Sequence, residues 1–333
     1  MIKRPQNREN ERGAVLLTTL LLMTVMAALA VAIMDDIRFS VKRAIAVQTS
    51  EQIDWYMLGG EDFAKSWLAD NAAGDGRGLN QILLLGEPAI FPIDEAGTIT
   101  IRASDGRNCY NVNRLSTEDT KAQTRGELSQ LFRYMELDNF EAESIAARIQ
   151  DWVDADTIPE QNGAEDLTYT NQNPPYHAAN TLMVDITELR AIEGIDEEQY
   201  QFLKPLLCAM PDLSMNKINL NTLEPEQWPL LALLLGPTNE TFSEAGETAQ
   251  AVIAQRPLTG YASTEAVWAL PVMQELKLKG AGKDMAAVET DMVDLEIMVQ
   301  IGLDDQAQIR RRMVRFNIGG DAGVELIARR GAF

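Results

Sequence analysis

Between Gln150 and Asp166 the chain reads QDWVDADTIPEQNGAED, which gathers Asp151, Asp154, Asp156, Glu160, Glu165 and Asp166 around Pro159 and Gly163. Carboxylates at this density, with no His or Cys among them, are hard oxygen donors. Such donors suit calcium, which takes ~6–8 oxygens from carboxylates, backbone carbonyls and water, whereas zinc or copper would want nitrogen or sulfur. The spacing is not that of an EF-hand, because the pattern after Asp154 and Asp156 fails at Ile158 and Pro159. A solvated acidic loop is the competing reading, and the mutual repulsion of so many carboxylates favours a bound ion. The expected ligands are Asp154, Asp156, Glu165 and Asp166, with Glu160 and Asp151 as further candidates and Asp151 otherwise a helix-end residue.

No catalytic residue is expected. His177, the single histidine, sits in NPPYHAAN with no recognisable Ser or Cys nucleophile beside it. Nothing selects two carboxylates as an acid and base pair, and no Gly-rich phosphate loop follows a strand. Trp152, Trp228 and Trp268 lie at helical or core spacings and read as packing.

The elements that must hold the acidic loop come from an internal repeat. NVNRL at Asn111–Leu115 recurs as NLNTL at Asn219–Leu223, an offset of 108 that also pairs Ile145 with Ile253, Ala146 with Ala254 and Arg148 with Arg256. Each copy predicts an Asn-x-Asn turn, a helix with acidic first-turn residues (Glu118 and Asp119; Glu224 and Glu226), and a second helix ending near the Arg. The copies resemble helix-hairpin-helix or SAM-like units. Some of those bind DNA, but this stretch is studded with carboxylates, and the whole chain has 29 basic against 50 acidic residues and a formal charge of -21. Such a field repels phosphate, so nucleic acid is not an expected partner.

Around the repeat the periodicity changes. TITIRAS at Thr98–Ser104 alternates as a strand, as do Leu295–Ile301 and Met313–Ile318, with a shorter run at Leu326–Ala328. These read as one antiparallel sheet interrupted by a long helical stretch. Before them, helical spacing runs from Asp36 through Phe39, Ile45, Ile53, Tyr56, Phe63 and Trp67, with Gly59 and Gly60 as a possible kink. The class is α+β, in two domains. Cys109 and Cys208 are the only cysteines. In an oxidising compartment they read most simply as one disulfide, the alternative being two buried thiols.

The N-terminus decides the compartment. Lys3, Arg4, Arg8 and Arg12 precede Gly13, and no charge follows until Asp35. A helix from Ala14 to Met34 can cross a hydrocarbon core of ~30 Å, with the basic end cytoplasmic and the remainder outside. A cleaved secretory signal with its site in Ala27–Ala32, a permanent signal anchor and a type IV prepilin leader all fit this outline. RGAVLLTTLLLMTVMAALA resembles the prepilin leader closely, with Gly13 as the last leader residue and Ala14 as the first mature one. Most pilins carry Glu at the fifth mature position, where this chain has Thr18.

With that leader, that size and no such Glu, the chain resembles the K-type minor pseudopilins of the type II secretion system over nearly its whole length. The resemblance implies a leader at 1–13 cut by the prepilin peptidase, a transmembrane segment at 14–34, and a pilin-like unit at 35–110 completed by strands at 291–333. Between them it implies an inserted helical domain at 111–290 that holds calcium. It further implies an inner-membrane protein, assembled at the tip of a periplasmic fibre with the I and J minor pseudopilins, and with H and the major pseudopilin as further neighbours. The alternative is an anchored periplasmic calcium-dependent binding module or enzyme with an uncut signal anchor.

Overall fold

The charge-free run and the amphipathic stretch after it form one unbroken helix, α1 (Arg8–Ala72), whose 65 residues make it about 97 Å long at ~1.5 Å per residue. The structure, a computed structural model, describes residues 8–72, 77–93, 97–213, 217–236, 241–275, 283–302, 308–319 and 323–331. From Ala14 to Gln48 α1 is exposed throughout, and its most apolar window has a mean hydropathy of 2.5. It is long and apolar enough to cross a membrane once. The second half buries Ile53, Met57, Ala64 and Leu68, one stripe at helical spacing. The helix runs straight through Gly59 and Gly60, where a kink is possible on sequence grounds. The glycine serves packing instead: a Cβ at Gly60 would stand 3.2 Å from Cγ2 of Ile297, so its absence lets helix and sheet approach.

The stripe packs on a five-stranded antiparallel sheet in the order β1-β2-β7-β8-β9. Its strands are β1 (Ala89–Ile93), β2 (Gly97–Asp105), β7 (Met292–Ile301), β8 (Gln308–Ile318) and β9 (Val324–Gly331). Ile101 pairs with Ile297 and Leu295 with Val314, and this inward parity joins the α1 stripe in one core. The helix α2 (Arg77–Leu85) adds Leu79 and Leu83. Neither α2 nor β1 is signalled by the sequence, since Pro92 interrupts the alternation of β1. A proline is tolerated there because β1 is an edge strand. Most of the expected turn GLDDQAQ lies outside the described residues.

Polar contacts set the direction of the sheet along α1. Arg310 of β8 reaches Ser50 at 2.9 Å and also Asp54, while Arg312 reaches Glu61 at 2.8 Å, with Arg329 of β9 on the other Glu61 oxygen at 2.6 Å. The β8 residues nearer Ile318 therefore lie farther from the apolar half of the helix. Asp105 pairs with Val293 and Met292 with Asn317 at that same distal end. Everything between β2 and β7 is thus inserted between two hydrogen-bonded neighbours, at the end of the sheet remote from the apolar run.

The insertion has its own, larger core. Its first copy holds a short strand β3 (Tyr110–Asn111), helices α3 (Lys121–Tyr134), α4 (Asn139–Val153), α5 (Asp166–Tyr169) and α6 (Glu197–Leu203), and a closing strand β4 (Leu207–Cys208). The second has β5 (Ile218–Asn219), α7 (Trp228–Leu234), α8 (Phe242–Ala254) and β6 (Ala286–Ala287). Each copy is closed by a parallel pair, β3 with β4 and β5 with β6. Of the acidic residues expected in the first helical turns, Glu118 and Asp119 precede Lys121, while Glu224 caps and Glu226 lies within the short helical turn that leads into α7. In the first copy the second helix also runs on past Arg148 to Val153.

The Asn-x-Asn turns perform one structural task twice. Oδ1 of Asn111 accepts from the Asn113 amide at 3.2 Å, and Oδ1 of Asn219 accepts from the Asn221 amide at 3.0 Å. The second Asn of each turn then clamps a distant loop. Asn113 binds the amide and carbonyl of Met183 at 2.8 and 2.9 Å, and Asn221 binds those of Tyr261 at 2.6 and 3.0 Å. Both side chains are buried, so truncation leaves backbone groups without partners. Asn221→Ala is expected to lower unfolding stability by about 2 kcal/mol, read as a shifted denaturant midpoint. An unchanged midpoint would count against this assignment.

A half-buried carboxylate joins insertion to sheet. Asp105, the last residue of β2, accepts from Asn219 at 2.8 Å, Thr222 at 2.7 Å, Thr290 at 2.8 Å and the Arg107 amide at 2.9 Å. Burial raises its pKa and those donors oppose the rise. Beside it, Cys109 and Cys208 form a disulfide with Cα atoms 5.6 Å apart, packed against Met210 and Met292.

Candidate metal centre

The acidic loop leaves the end of α4 and returns into α5. Asp154 is the C-cap of α4 and Glu165 the N-cap of α5, so the two helix ends bring them together across the loop. Among the described residues, Asp154, Asp156 and Glu165 each offer an oxygen within 4.8 Å of the others. Asp154 is 2% and Glu165 4% exposed, and Asp154 Oδ1 and both carboxylate oxygens of Glu165 have no hydrogen-bond partner. Orphaned buried carboxylate oxygens cost free energy unless neutralised, and an oxygen-only set of this kind fits a hard divalent cation such as calcium.

The other acidic residues hold the loop. Asp151 is fully buried in the last turn of α4 and accepts from the Glu160 amide at 3.1 and 3.2 Å. A Cβ at Gly163 would fall 1.9 Å from its Oδ2, so only glycine lets the loop close over this carboxylate. Glu160 pairs with Arg125 at 2.6 Å and accepts from Gln150 at 2.8 Å. Asp166, expected among the ligands, is turned away: it meets Nδ1 of His177 at 3.0 Å and the Ala178 amide at 3.0 Å, on the exposed side of α5. Two basic residues that the sequence reading missed, Lys121 and Arg125, come from α3, and no local spacing links them to the loop.

The electrostatics follow this geometry. Burial pushes Glu165 up to about 7, with the Asp151 charge adding to it, and burial pushes Asp151 up to about 6 against the amides it accepts. Asp154 is likewise raised by burial and then by Asp156. The Ile158 amide holds Asp156 low, and Arg125 holds Glu160 low. The centre therefore combines high-energy buried carboxylates with an open set of oxygens, which is what a cation would relieve.

Residues 108–212 and 218–289 match two families, each described as Type II secretion system (T2SS), protein K, and the matches follow the two copies of the repeat. At 34% identity the chain is similar to the Type II secretion system protein K of Pectobacterium carotovorum subsp. carotovorum over 90% of its own length and 91% of that protein's. The chain belongs to the type II secretion system protein K family. The protein K of Klebsiella pneumoniae is 32% identical over 80% of this chain and 81% of its own. Among solved structures, a chain of the GspK-GspI-GspJ complex from the enterotoxigenic Escherichia coli Type 2 Secretion System superposes with a TM-score of 0.70 at 23% identity. That superposition covers 87% of this chain and 99% of that one, and it supports the fold: a pilin-like helix and sheet with an inserted helical domain. As a member of the protein K family, the chain is a minor pseudopilin of the secretion system.

Proposed function

We propose that this minor pseudopilin sits at the tip of the secretion pseudopilus and nucleates its assembly with the I and J minor pseudopilins, with H and the major pseudopilin following below. The observation that carries this reading is the attachment of the helical insertion at the end of the sheet remote from the apolar half of α1. In a fibre built by side-by-side packing of such helices, a mass at that end stands where the next subunit would go. Only a terminal position is free of the clash.

Thr18 supports the same reading. Its hydroxyl donates to the Val15 carbonyl at 2.9 Å, so the position needs no partner inside the bilayer. A Glu there would require the terminal amine of a neighbour, and an unpaired charge in lipid is costly. We further infer a leader cut between Gly13 and Ala14 by the prepilin peptidase, and an inner-membrane anchor with the remainder periplasmic, where the disulfide is stable. We assign the chain no enzymatic activity, since His177 pairs with Asp166 and not with a nucleophile. The acidic centre is read as a calcium site, with Asp154, Asp156 and Glu165 as ligands; calcium there would fasten α4 to α5.

Co-expression of the chain with its I and J partners and the prepilin peptidase tests the assembly. The expected result is a monodisperse complex of the three in detergent, with Ala14 as the mature N-terminus of this chain. A retained Met1, a cut near Ala32, or a chain that stays monomeric beside both partners would overturn the reading.

A further inference from the structure

Lys121, the first residue of α3, carries an ammonium that among the described residues alone reaches both aspartates of the centre. Its Nζ lies 3.7 Å from Asp154 Oδ2, 3.4 Å from Asp156 Oδ2 and 3.1 Å from Glu118 Oε1. The side chain is held at both ends, by the start of α3 and by Glu118, and is 19% exposed. It therefore engages Oδ2 of each aspartate, while Asp154 Oδ1 and both oxygens of Glu165 stay buried and unpartnered.

This division of oxygens has a chemical consequence. Asp151, Asp154, Asp156, Glu160 and Glu165 face two basic groups, Lys121 and Arg125, and Arg125 is committed to Glu160. One ammonium is too little charge for the remaining carboxylates, yet it is a charge that an incoming divalent cation must approach closely. Repulsion is least screened at Asp154, whose side chain is 3% exposed.

We propose that Lys121 is a built-in counter-cation of the centre: it keeps the aspartates in place when no metal is bound and weakens calcium binding when metal arrives. The proposal rests on the calcium reading above. A compact ammonium suits the role, because it neutralises without forming the fixed fork of a guanidinium. Lys121 thereby sets the concentration at which the centre fills, and removing it converts a weaker site into a tighter one.

The test uses the full-length chain in detergent, stripped with chelator and titrated with calcium chloride by calorimetry, with thermal melting in parallel. Lys121→Met is expected to bind calcium roughly tenfold more tightly than the wild type. Its melting temperature should fall without calcium and match the wild type at saturating calcium. Lys121→Arg, which keeps the charge, should stay close to the wild-type affinity, and Lys121→Gln gives a second neutral variant should Met misfold. Wild-type binding with equal or weaker binding by both neutral variants overturns the proposal while leaving the calcium site standing. A wild type that shows neither heat nor a melting shift with calcium overturns the site itself, and the proposal with it.

Discussion

Replacing Cys109 and Cys208 together by Ser is expected to lower unfolding stability by about 4 kcal/mol, which is near the chain-entropy value for a loop of ~100 residues. The separation here is 99 residues, and both sulfurs are buried at the junction of insertion and sheet. The loss has two parts. The unfolded chain regains the freedom of the loop, and two hydroxyls replace apolar sulfur beside Met210 and Met292. The bridge also ties β3 to β4 directly, since Asn111 pairs with Cys208. The measurement is guanidinium unfolding of the oxidised wild type, the reduced wild type and the double variant. Reduced wild type and double variant should share a lowered midpoint. Three equal midpoints would mean that the bridge constrains nothing that packing does not already fix.

Removing calcium from the proposed site is expected to have the second large effect, one that depends on pH. A ligand that binds only the folded chain adds about 2.7 kcal/mol at 100-fold over its Kd and about 4.1 kcal/mol at 1,000-fold. The sign with pH comes from the buried carboxyls. Glu165 is pushed up to about 7 and Asp151 to about 6, both chiefly by burial. A carboxyl whose folded pKa is raised contributes stability that is present when it is protonated and is lost as pH rises through the folded value. The metal-free chain should therefore weaken from about pH 4, where the unfolded carboxyls ionise, to about pH 7, where Glu165 ionises in the folded chain, while calcium, which needs ionised oxygens, should bind progressively better from about pH 5 to 8. The melting shift on adding calcium should be small at pH 5 and largest at pH 8. Glu165→Gln should abolish the shift and raise metal-free stability at pH 8 by about 2 kcal/mol, because it removes a buried charge. A calcium shift that is constant with pH, or that survives in Glu165→Gln, would remove Glu165 from the ligand set.

What could be read in advance was what repeats along one dimension. The apolar run, the alternation of Leu295–Ile301 and Met313–Ile318, and the 108-residue offset are periodic or compositional, and the α1 helix, β7, β8 and the two-copy insertion follow from them. What stayed hidden was set by tertiary neighbours. Pro92 hides β1 because its edge position is visible only in the assembled sheet. Gly60 reads as a weak point along the helix, and only the facing Ile297 turns it into a close contact. At the acidic centre, the density of carboxylates locates the loop, but Asp166 and Glu165 are adjacent in sequence and point in different directions. The α5 N-cap directs one inward, and His177 holds the other outside. Lys121 is equally invisible, because the start of α3 meets the end of α4 only through the fold.

The insertion between β2 and β7 also bears on the order in which the chain acquires its structure. The sheet cannot close until β7, β8 and β9 have been delivered, and pairing Asp105 with Val293 would otherwise close a very long flexible loop, which slows folding. The helical copies are complete before that, with their own core and their own disulfide. Once they have folded, Asp105 and Thr290 are already held together by a 2.8 Å hydrogen bond, and the long loop has become a short one. The insertion is thus placed to serve as an intramolecular template: if its copies fold first, the last strands dock onto a seam already prepared for them.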